Sequence, residues 1–386
     1  MLILTHECNL RCRYCFVHKK PEHMTYQTAF DIVQLAIKNS KENQDIPGIT
    51  FFGGEPMLMW DSIIVPLVQY IREEYKKPFK ISITTNGTLL TSEKIDFLKR
   101  NDIGLLLSID GAKETQDYNR PRLNGEGSFE ALEKILPLVV SNFPNTVFRS
   151  TIIPSTCEQT FKNIMFAEHS GFHNFWTIPN VFEDWTEDQK NKLNKEMDKY
   201  ANYYIECYRQ GKRPISFSFL EKSFRDILKI NEAIKNNVLN CNRECAACDK
   251  CGLGASRFAA VHPNGNVYAC QEMTSNEGDE SPFYIGNIYS GILDNKRLAL
   301  MEIFEKENIA GVNCETCKFN RICDGGCVAN NYLINKNLKM LPEMYCWWKQ
   351  IILDKAIYIM QTLGNEKNKK FAERFVFMTQ GKGDRK

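Results

Sequence analysis

Strand and helix patterns alternate along the first half of the chain. The apolar, β-branched runs lie at 2–5, 48–52, 80–85, 104–109, 146–152 and about 174–178. Helical periodicity fills the intervals near 25–40, 60–75, 92–101, 128–140 and 157–169. Such alternation predicts an α/β fold with a parallel sheet and helices outside it. About six units over about 180 residues favour a partial (β/α)6 barrel of TIM type, spanning 1–183.

The second half of the chain has a different character. A charged helical stretch from Trp185 to Arg209 and a further helix near 218–236 predict a helical connection over 184–240. A cysteine-rich domain over 241–350 would follow, and then a C-terminal helix and basic tail over 351–386. The end, "NEKNKKFAERFVFMTQGKGDRK", carries seven basic and three acidic residues and is expected to fray.

Charge and hydropathy exclude several classes of partner. The 386 residues include 49 Lys and Arg against 47 Asp and Glu. The resulting net charge of +2 is too small to attract nucleic acid or an anionic membrane. No run approaches the roughly 18 apolar residues of a membrane span, and no signal peptide pattern is present. We therefore expect a soluble, cytoplasmic protein without a nucleic-acid or membrane partner.

Fifteen cysteines are unusual for such a chain. In a reducing cytosol, metal ligation or catalysis explains them better than disulfides. Thirteen fall into dense groups, at 8–15, 241–270 and 314–346, while Cys157 and Cys207 stand apart and are expected to be buried or free thiols.

The first group, Cys8, Cys12 and Cys15, has C-x3-C-x2-C spacing directly after the first predicted strand. Closely spaced thiolates in a loop are typical of iron–sulfur clusters, and three of them leave one iron without a protein ligand. The alternative is a structural zinc site, which needs a fourth ligand. Three nearby histidines are candidates for it: His6, His18 and His23.

A second motif, "ITFFGGEP", ends the next strand. Gly53 and Gly54 would let the backbone approach a ligand closely, Glu55 suits an ammonium group, and Pro56 closes the motif. Together with the cysteine loop, this motif resembles the radical S-adenosylmethionine (SAM) superfamily. The resemblance implies a [4Fe-4S] cluster whose open iron chelates SAM, reductive cleavage of SAM to a 5′-deoxyadenosyl radical, and a reductant such as flavodoxin or ferredoxin.

Further matches to that family follow the third and fourth strands, in "ITTNGTLL", "LLLSIDG" and "YNRPR". By similarity, Asn86, Ser108, Asp110 and Arg120 line the SAM pocket, with Ser108 and Arg120 the candidates for the polar and carboxylate groups of SAM. Asn86 could equally belong to an ordinary turn, and Arg122 to the surface.

The C-terminal cysteines resemble the SPASM domain, an extension of radical SAM enzymes that act on peptides and proteins. The resemblance implies two auxiliary [4Fe-4S] clusters, and so three clusters in all. The first set would be Cys251, Cys270 and Cys327, and the second Cys314, Cys317, Cys323 and Cys346. Two zinc sites or a disulfide network are the alternatives.

The first auxiliary set is one ligand short, and "NCNRECAACDKC" supplies three surplus cysteines, Cys241, Cys245 and Cys248. One of them would complete the cluster. Alternatively, the cluster stays open for a substrate thiolate and the surplus cysteines bind another group or carry redox chemistry.

Two departures bear on the substrate. In sulfatase-maturating relatives, the Asp that acts as general base directly follows the Gly-x4-Cys cysteine, where this chain has Gln271. These relatives also have a Tyr directly after the first Cys-Phe, where this chain has Val17. Both favour a maturase that abstracts hydrogen from a ribosomally made peptide and forms a thioether or other crosslink, with the auxiliary clusters accepting an electron. Sulfatase maturation, with Glu272 as the base, and a plain iron–sulfur electron carrier are the alternatives.

Thioether-forming relatives often carry an N-terminal peptide-recognition domain, whereas here seven residues precede Cys8. The sequence leaves open how the peptide or protein substrate is recognised. A separate protein would recognise it, the chain would bind it directly, or a recognition domain is missing from the sequence.

Overall fold

A computed structural model describes residues 1–235, 258–274, 281–293, 295–296, 314–320 and 322–380. They form two compact units. Unit 1 contains Met1–Arg149 and the described part of Asp249–Glu307, and unit 2 contains the described parts of Ser150–Cys248 and Asn308–Lys386. Four predicted cluster ligands or surplus cysteines lie outside the described residues: Cys241, Cys245, Cys248 and Cys251.

The described strands, in chain order, are β1 (Leu2–Ile3), β2 (Gly48–Phe52), β3 (Lys80–Thr85), β4 (Ile103–Ser108), β5 (Val147–Ile152), β6 (Asn174–Pro179), β7 (Ser216–Phe217), β8 (Ala260–Val261), β9 (Asn266–Tyr268), β10 (Tyr284–Asn287) and β11 (Gly291–Ile292). The described α-helices are α1 (Tyr26–Glu42), α2 (Val65–Gln69), α3 (Ser92–Arg100), α4 (Lys113–Asn119), α5 (Phe129–Asn142), α6 (Thr160–His169), α7 (Glu187–Arg209), α8 (Ser218–Lys235), α9 (Val328–Asn335), α10 (Glu343–Asn365) and α11 (Lys369–Gln380).

Unit 1 is built on a mixed sheet with the strand order β11-β10-β9-β8-β1-β2-β3-β4-β5. Strands β1 to β5 run parallel, as the alternation predicts, and β8 is parallel to β1. Strands β9 to β11 add antiparallel pairs that the sequence did not predict. Alternate side chains of the central strands, such as Phe51, Ile83 and Leu107, are fully buried and form the core. The α/β class is confirmed, and the sheet is mixed rather than purely parallel.

The single helix predicted over 60–75 is interrupted in the structure. Short α2 is flanked by π-helical turns at Trp60–Ile64 and Tyr70–Tyr75. The Val65 amide donates to the carbonyl of Trp60, five residues back, and Pro66 has no amide to continue an α-helical ladder. The proline explains the change of helical pitch.

Unit 2 contains the end of β5, the parallel pair β6 and β7, and helices α6 to α11. Its core is aromatic: the rings of Phe175 and Phe217 stack with centroids 4.5 Å apart, and Tyr200 packs edge-on against Phe175. Thr186 is the N-cap of helix α7, and its side chain forms a capping box with Gln189. Within the predicted connection over 184–240, strand β7 separates helices α7 and α8, and residues 236–240 lie outside the described residues.

The prediction of a frayed C-terminal end is wrong for 369–380, which form α11. Phe371 is buried among aromatic residues, with ring centroids 5.2 Å from Tyr208 and 5.9 Å from Phe224. Arg374 pairs with Glu221 at 2.5 Å. Contacts with residues distant in sequence therefore supply the packing that composition alone does not suggest.

Within the described residues, every helix is too short or too polar to cross a lipid bilayer. The predicted domain boundaries at 183, 240 and 350 remain predictions.

Candidate functional site

Backbone hydrogen bonds hold the cysteine loop against the segment that follows α4. The Arg11 amide donates to Pro121 O at 2.7 Å, and the Arg13 amide donates to Asn119 O at 3.0 Å. Leu10, between the first two cysteines, is fully buried. The loop is thus fixed in place by backbone contacts that do not involve the thiols.

The three loop cysteines are free thiols that differ in exposure: Cys8 and Cys12 are half-buried and Cys15 is exposed. Burial raises the pKa of Cys12 to about 12 and also raises the pKa of Cys8. Lys19 Nζ lies 3.0 Å from Cys15 Sγ. Because the thiols of Cys8 and Cys12 stay protonated near neutral pH, any metal group that they bind must displace their protons.

Asp110 joins the cysteine loop to the segment after α4. Oδ2 of Asp110 accepts hydrogen bonds from the Tyr14 hydroxyl at 2.6 Å and from Asn119 Nδ2 at 3.0 Å. Oδ1 lies 3.1 Å from Nη2 of Arg120. Burial lowers the pKa of the Arg120 guanidinium, but the Asp110 carboxylate together with Tyr14 and Cys12 outweighs this effect, so the pKa is raised. Asp110 therefore holds a charged, buried arginine next to the loop.

Glu55 connects the Gly-Gly-Glu-Pro turn to the end of β3. Oε1 of the buried Glu55 accepts from Thr85 Oγ1 at 2.7 Å and from the Met57 amide at 3.0 Å, and Oε2 accepts from the Asn86 amide at 2.8 Å. Burial raises the pKa of Glu55, against the effect of these hydrogen bonds. In this structure the carboxyl serves to position the neighbouring loops.

Gly53 and Gly54 permit a close approach of two backbone segments. Gly53 has φ of +139°, and the Gly54 amide donates to Thr5 O at 2.7 Å. A Cβ added at Gly54 would overlap the carbonyl oxygen of Glu7, and one at Gly53 would overlap that of Thr5. The glycines were predicted to admit a ligand, and the structure gives them this further role beside the cysteine loop.

Asn86 lies beside Cys8. Its Nδ2 donates to Asn9 Oδ1 at 2.9 Å and lies 3.7 Å from Cys8 Sγ, while its Oδ1 accepts from the Thr88 hydroxyl at 2.6 Å. Asn9 Nδ2 in turn donates to Thr88 Oγ1 at 2.8 Å. The Asn-Gly pair therefore does form a turn, and the turn also orients an amide toward the first cysteine.

Ser108 is half-buried at the end of β4 and lies opposite Arg149 of β5. Burial lowers the pKa of Arg149, and the nearby Glu272 carboxylate partly offsets this. Burial likewise raises the pKa of Glu272, whose Oε1 lies 3.3 Å from Gln271 Nε2. Arg149 and Glu272 therefore interact electrostatically, a pairing that the sequence did not reveal.

Among the described C-terminal cysteines, Cys314, Cys317 and Cys323 are free thiols. Cys270 is buried in unit 1, whereas Cys314, Cys317, Cys323, Cys327 and Cys346 lie half-buried in unit 2. The Cys317 amide donates to Cys314 O at 3.3 Å, and the Gly325 amide donates to Cys323 Sγ at 3.5 Å. Cys157 and Cys207 are buried free thiols, as predicted.

The histidines do not gather around the loop cysteines. Nε2 of His23 lies 3.1 Å from Oε2 of Glu7. The buried His6 instead meets Glu22 at 3.2 Å and packs edge-on against His262, with ring centroids 4.7 Å apart. Burial lowers the pKa of His6 to about 4 and also lowers the pKa of His262.

Residues 2–167 match the sequence profile of the radical SAM superfamily. These residues contain the cysteine loop, the Gly-Gly-Glu-Pro turn and the Asp110 network on a parallel sheet. Residues 2–167 are therefore a radical SAM domain, as the motifs predicted. The family implies a [4Fe-4S] cluster and SAM as cofactors.

Two proteins of described activity are similar in sequence to this chain. The radical SAM cyclopropyl synthase TigE of Paramaledivibacter caminithermalis is 24% identical over 349 residues, which cover 85% of this chain and 67% of TigE. A cysteine-type anaerobic sulfatase-maturating enzyme of Clostridium perfringens is 25% identical over 356 residues, covering 83% of this chain and 85% of the relative. The chain is thus related both to a cyclopropyl synthase and to sulfatase maturases.

The fold is similar to that of a solved structure, anSMEcpe with bound AdoMet. The TM-score is 0.71 at 21% identity, over 94% of this chain and 98% of that one. A second structure of anSMEcpe holds AdoMet together with the Kp18Cys peptide. At this identity the similarity shows a shared fold.

Proposed function

We propose that this enzyme modifies a peptide or protein substrate by abstracting a hydrogen atom from it, and that the product is a thioether or another crosslink in a ribosomally made peptide. The observation that carries the proposal is the cysteine loop held by Asp110 beside a buried arginine. Gln271 favours crosslinking over sulfatase maturation, because an amide cannot act as the base that follows Cys270 in sulfatase maturases.

The residues fit the cofactors that the family implies. Cys8, Cys12 and Cys15 are free thiols on an anchored loop and would hold the [4Fe-4S] cluster. Nε of Arg120 is buried without a hydrogen-bond partner among the described residues, which suits a carboxylate such as that of SAM. When bound, the cluster and SAM supply the reductive cleavage that generates the hydrogen-abstracting radical.

The protein's own groups would orient the reactants. Asp110 keeps Arg120 charged and fixed, Glu55 ties the Gly-Gly-Glu-Pro turn to Asn86, and Asn86 directs its amide to Cys8. A crosslink removes two hydrogens from the peptide, so an electron acceptor is needed after the first abstraction. The auxiliary clusters of the C-terminal cysteines are our proposal for that acceptor.

The test is an anaerobic assay of the cluster-reconstituted protein with SAM and a reductant. We expect 5′-deoxyadenosine from the wild type and none from the Cys8→Ala/Cys12→Ala/Cys15→Ala variant. Cys157→Ala, which removes a buried thiol outside the loop, should retain the product. Absence of 5′-deoxyadenosine from wild-type protein with intact clusters would contradict the proposal.

The modification itself is tested on short peptides encoded next to this reading frame. A crosslinked product loses two hydrogens by mass spectrometry, and a thioether also makes one cysteine resistant to alkylation. A product that reacts with a hydrazide probe would instead contain an aldehyde.

Formylglycine formation is the second candidate, and the position of Glu272 favours it. This carboxyl follows Gln271 and faces the Arg149 charge, so it could accept the proton that an Asp takes in sulfatase maturases. A sulfatase-derived cysteine peptide would then yield an aldehyde, and Glu272→Gln would abolish it while 5′-deoxyadenosine still forms. Crosslinking without aldehyde would exclude this candidate.

A further inference from the structure

A cluster of two histidines and one glutamate lies in unit 1, apart from the three cysteines. His6, Glu22 and His262 bring their possible ligand atoms within 4.8 Å of one another. Oε2 of Glu22 lies 3.2 Å from Nδ1 of His6 and 3.4 Å from Nε2 of His262. His262 is distant in sequence from His6 and Glu22, so the fold brings the three residues together.

Three buried polar atoms of this cluster have no hydrogen bond within the described residues. The His6 side chain is 1% exposed, and neither of its ring nitrogens has a hydrogen bond within the described residues. Glu22 Oε2, which faces both imidazoles, is likewise buried without a hydrogen bond. Buried polar groups are normally paired because leaving them unpaired is costly. These atoms therefore point to a ligand.

The remaining atoms of the cluster orient it. Asn264 Oδ1 lies 3.1 Å from Nδ1 of His262 and can accept a hydrogen bond from it. In the tautomer that makes this hydrogen bond, the Nε2 lone pair faces Glu22. Lys20 Nζ lies 2.8 Å from Oε1 of Glu22 and directs the other oxygen inward. The His6 amide donates to Glu22 O at 3.1 Å and fixes the backbone. A carboxylate oxygen facing an imidazole lone pair is stable when a cation lies between them.

We propose that His6, Glu22 and His262 bind a divalent transition-metal ion of the zinc type. Metal–ligand distances of about 2.1 Å in tetrahedral geometry place neighbouring ligand atoms about 3.4 Å apart, close to the separations at Glu22 Oε2. Two imidazoles and one carboxylate are a common donor set for zinc and leave a fourth position for water.

The ion would join two segments that carry cysteines. His6 lies two residues before Cys8, and His262 follows β8, which pairs in parallel with β1 through Val261 and Leu2. The hairpin of β8 and β9 leads directly to Cys270. The ion therefore stabilises the loop that precedes the SAM-binding cysteines against the segment that precedes Cys270. This inference does not depend on the substrate proposed above.

The decisive experiment is zinc K-edge absorption spectroscopy of the cluster-reconstituted full chain after addition of zinc and removal of the excess. We expect about one zinc per chain with nitrogen and oxygen neighbours near 2.0–2.1 Å and imidazole scattering. A shell of sulfur neighbours near 2.3 Å, or no retained zinc, would overturn the proposal. This readout on the wild type does not depend on any variant folding.

Variants locate the site. Glu22→Gln and His262→Gln should each lower zinc retention at least about tenfold, because each removes one of only three protein ligands. His23→Gln is the matched control, since His23 is a neighbouring histidine paired with Glu7 outside the cluster. Equal zinc retention in all three variants would contradict the assignment. Iron(II) and manganese(II) added in place of zinc establish which divalent ion is preferred.

A stability measurement adds an independent readout. Zinc should raise the thermal midpoint of the wild type and of His23→Gln, because the ion binds only the folded protein. Glu22→Gln should show no such rise while keeping the wild-type circular dichroism spectrum. A rise of the same size in Glu22→Gln would overturn the proposal.

Discussion

The Tyr14 hydroxyl donates a hydrogen bond of 2.6 Å to Oδ2 of Asp110. Tyr14 lies between the second and third loop cysteines, and Asp110 follows β4. The hydrogen bond therefore helps to fix the loop that would hold the cluster relative to the end of β4.

Removing this hydroxyl should loosen the loop. Tyr14→Phe keeps the ring but leaves Asp110 Oδ2 without one of its donors, and we expect a loss of about 1–3 kcal/mol in the free energy of unfolding, as for hydrogen bonds to charged groups. Urea unfolding measures it. Tyr118→Phe is the control, because the Tyr118 ring, which lies 4.2 Å beneath the Arg13 guanidinium, is retained. An equal loss in both variants would argue against a special role for Tyr14.

A second prediction concerns the close approach of the Gly54 backbone to Glu7. In Gly54→Ala the new methyl group overlaps Glu7 O, so the Gly-Gly-Glu-Pro turn and the cysteine loop cannot both keep their positions. We expect at least about 2 kcal/mol of destabilisation, and a lower iron content after reconstitution. Gly364→Ala, where a Cβ meets nothing within 4 Å and the residue lies in helix α10, should lower neither quantity. Iron analysis and urea unfolding provide the measurements.

The strands were predicted well where alternation is strong. β2 and β3 have the predicted bounds of 48–52 and 80–85, because their buried and exposed side chains alternate in sequence. Helix α4 was missed, since "KETQDYN" is short and polar and shows no apolar periodicity. Helix α11 was missed because its stability depends on distant aromatic residues rather than on its own composition.

Those parts of the candidate site that are formed by contiguous sequence motifs were predicted. The cysteine loop and the Gly-Gly-Glu-Pro turn are contiguous in sequence, so their residue types and spacing revealed them. The partners that position them come from elsewhere: Tyr14 meets Asp110, and Arg149 faces Glu272. A single sequence contains no signal for such pairs. "TTNGT" did contain one clue, since Thr85, adjacent to the predicted Asn86, proves to bind Glu55.

Glu55 predicts a dependence of stability on pH. Burial raises the pKa of its carboxyl in the folded protein above the unfolded value of about 4.3. The folded state therefore binds more protons between these two pKa values, and the free energy of unfolding falls as pH rises through that window. Glu55→Gln cannot ionise, so its stability relative to the wild type should increase with pH.

The measurement is urea unfolding at a series of pH values from about 4 upward, in the Cys8→Ala/Cys12→Ala/Cys15→Ala background, so that cluster loss does not contribute. Glu130→Gln is the control with the opposite sign, because the hydrogen bond from Lys134 lowers the pKa of Glu130. Its stability relative to the wild type should fall as pH rises. A Glu55→Gln difference that is independent of pH would contradict the raised pKa.

The last helix should depend on one aromatic side chain. Phe371→Ala removes a ring buried between Tyr208 and Phe224, and we expect a loss of about 3 kcal/mol in the free energy of unfolding, typical of emptying a buried aromatic site. Hydrogen exchange should show faster exchange over 369–380. Phe182→Ala removes a ring that is 47% exposed in the same unit and should change little. If exchange over 369–380 were equally fast in both variants and in the wild type, then Phe371 would not anchor the helix, and Arg374 with its partner Glu221 would have to supply the anchoring.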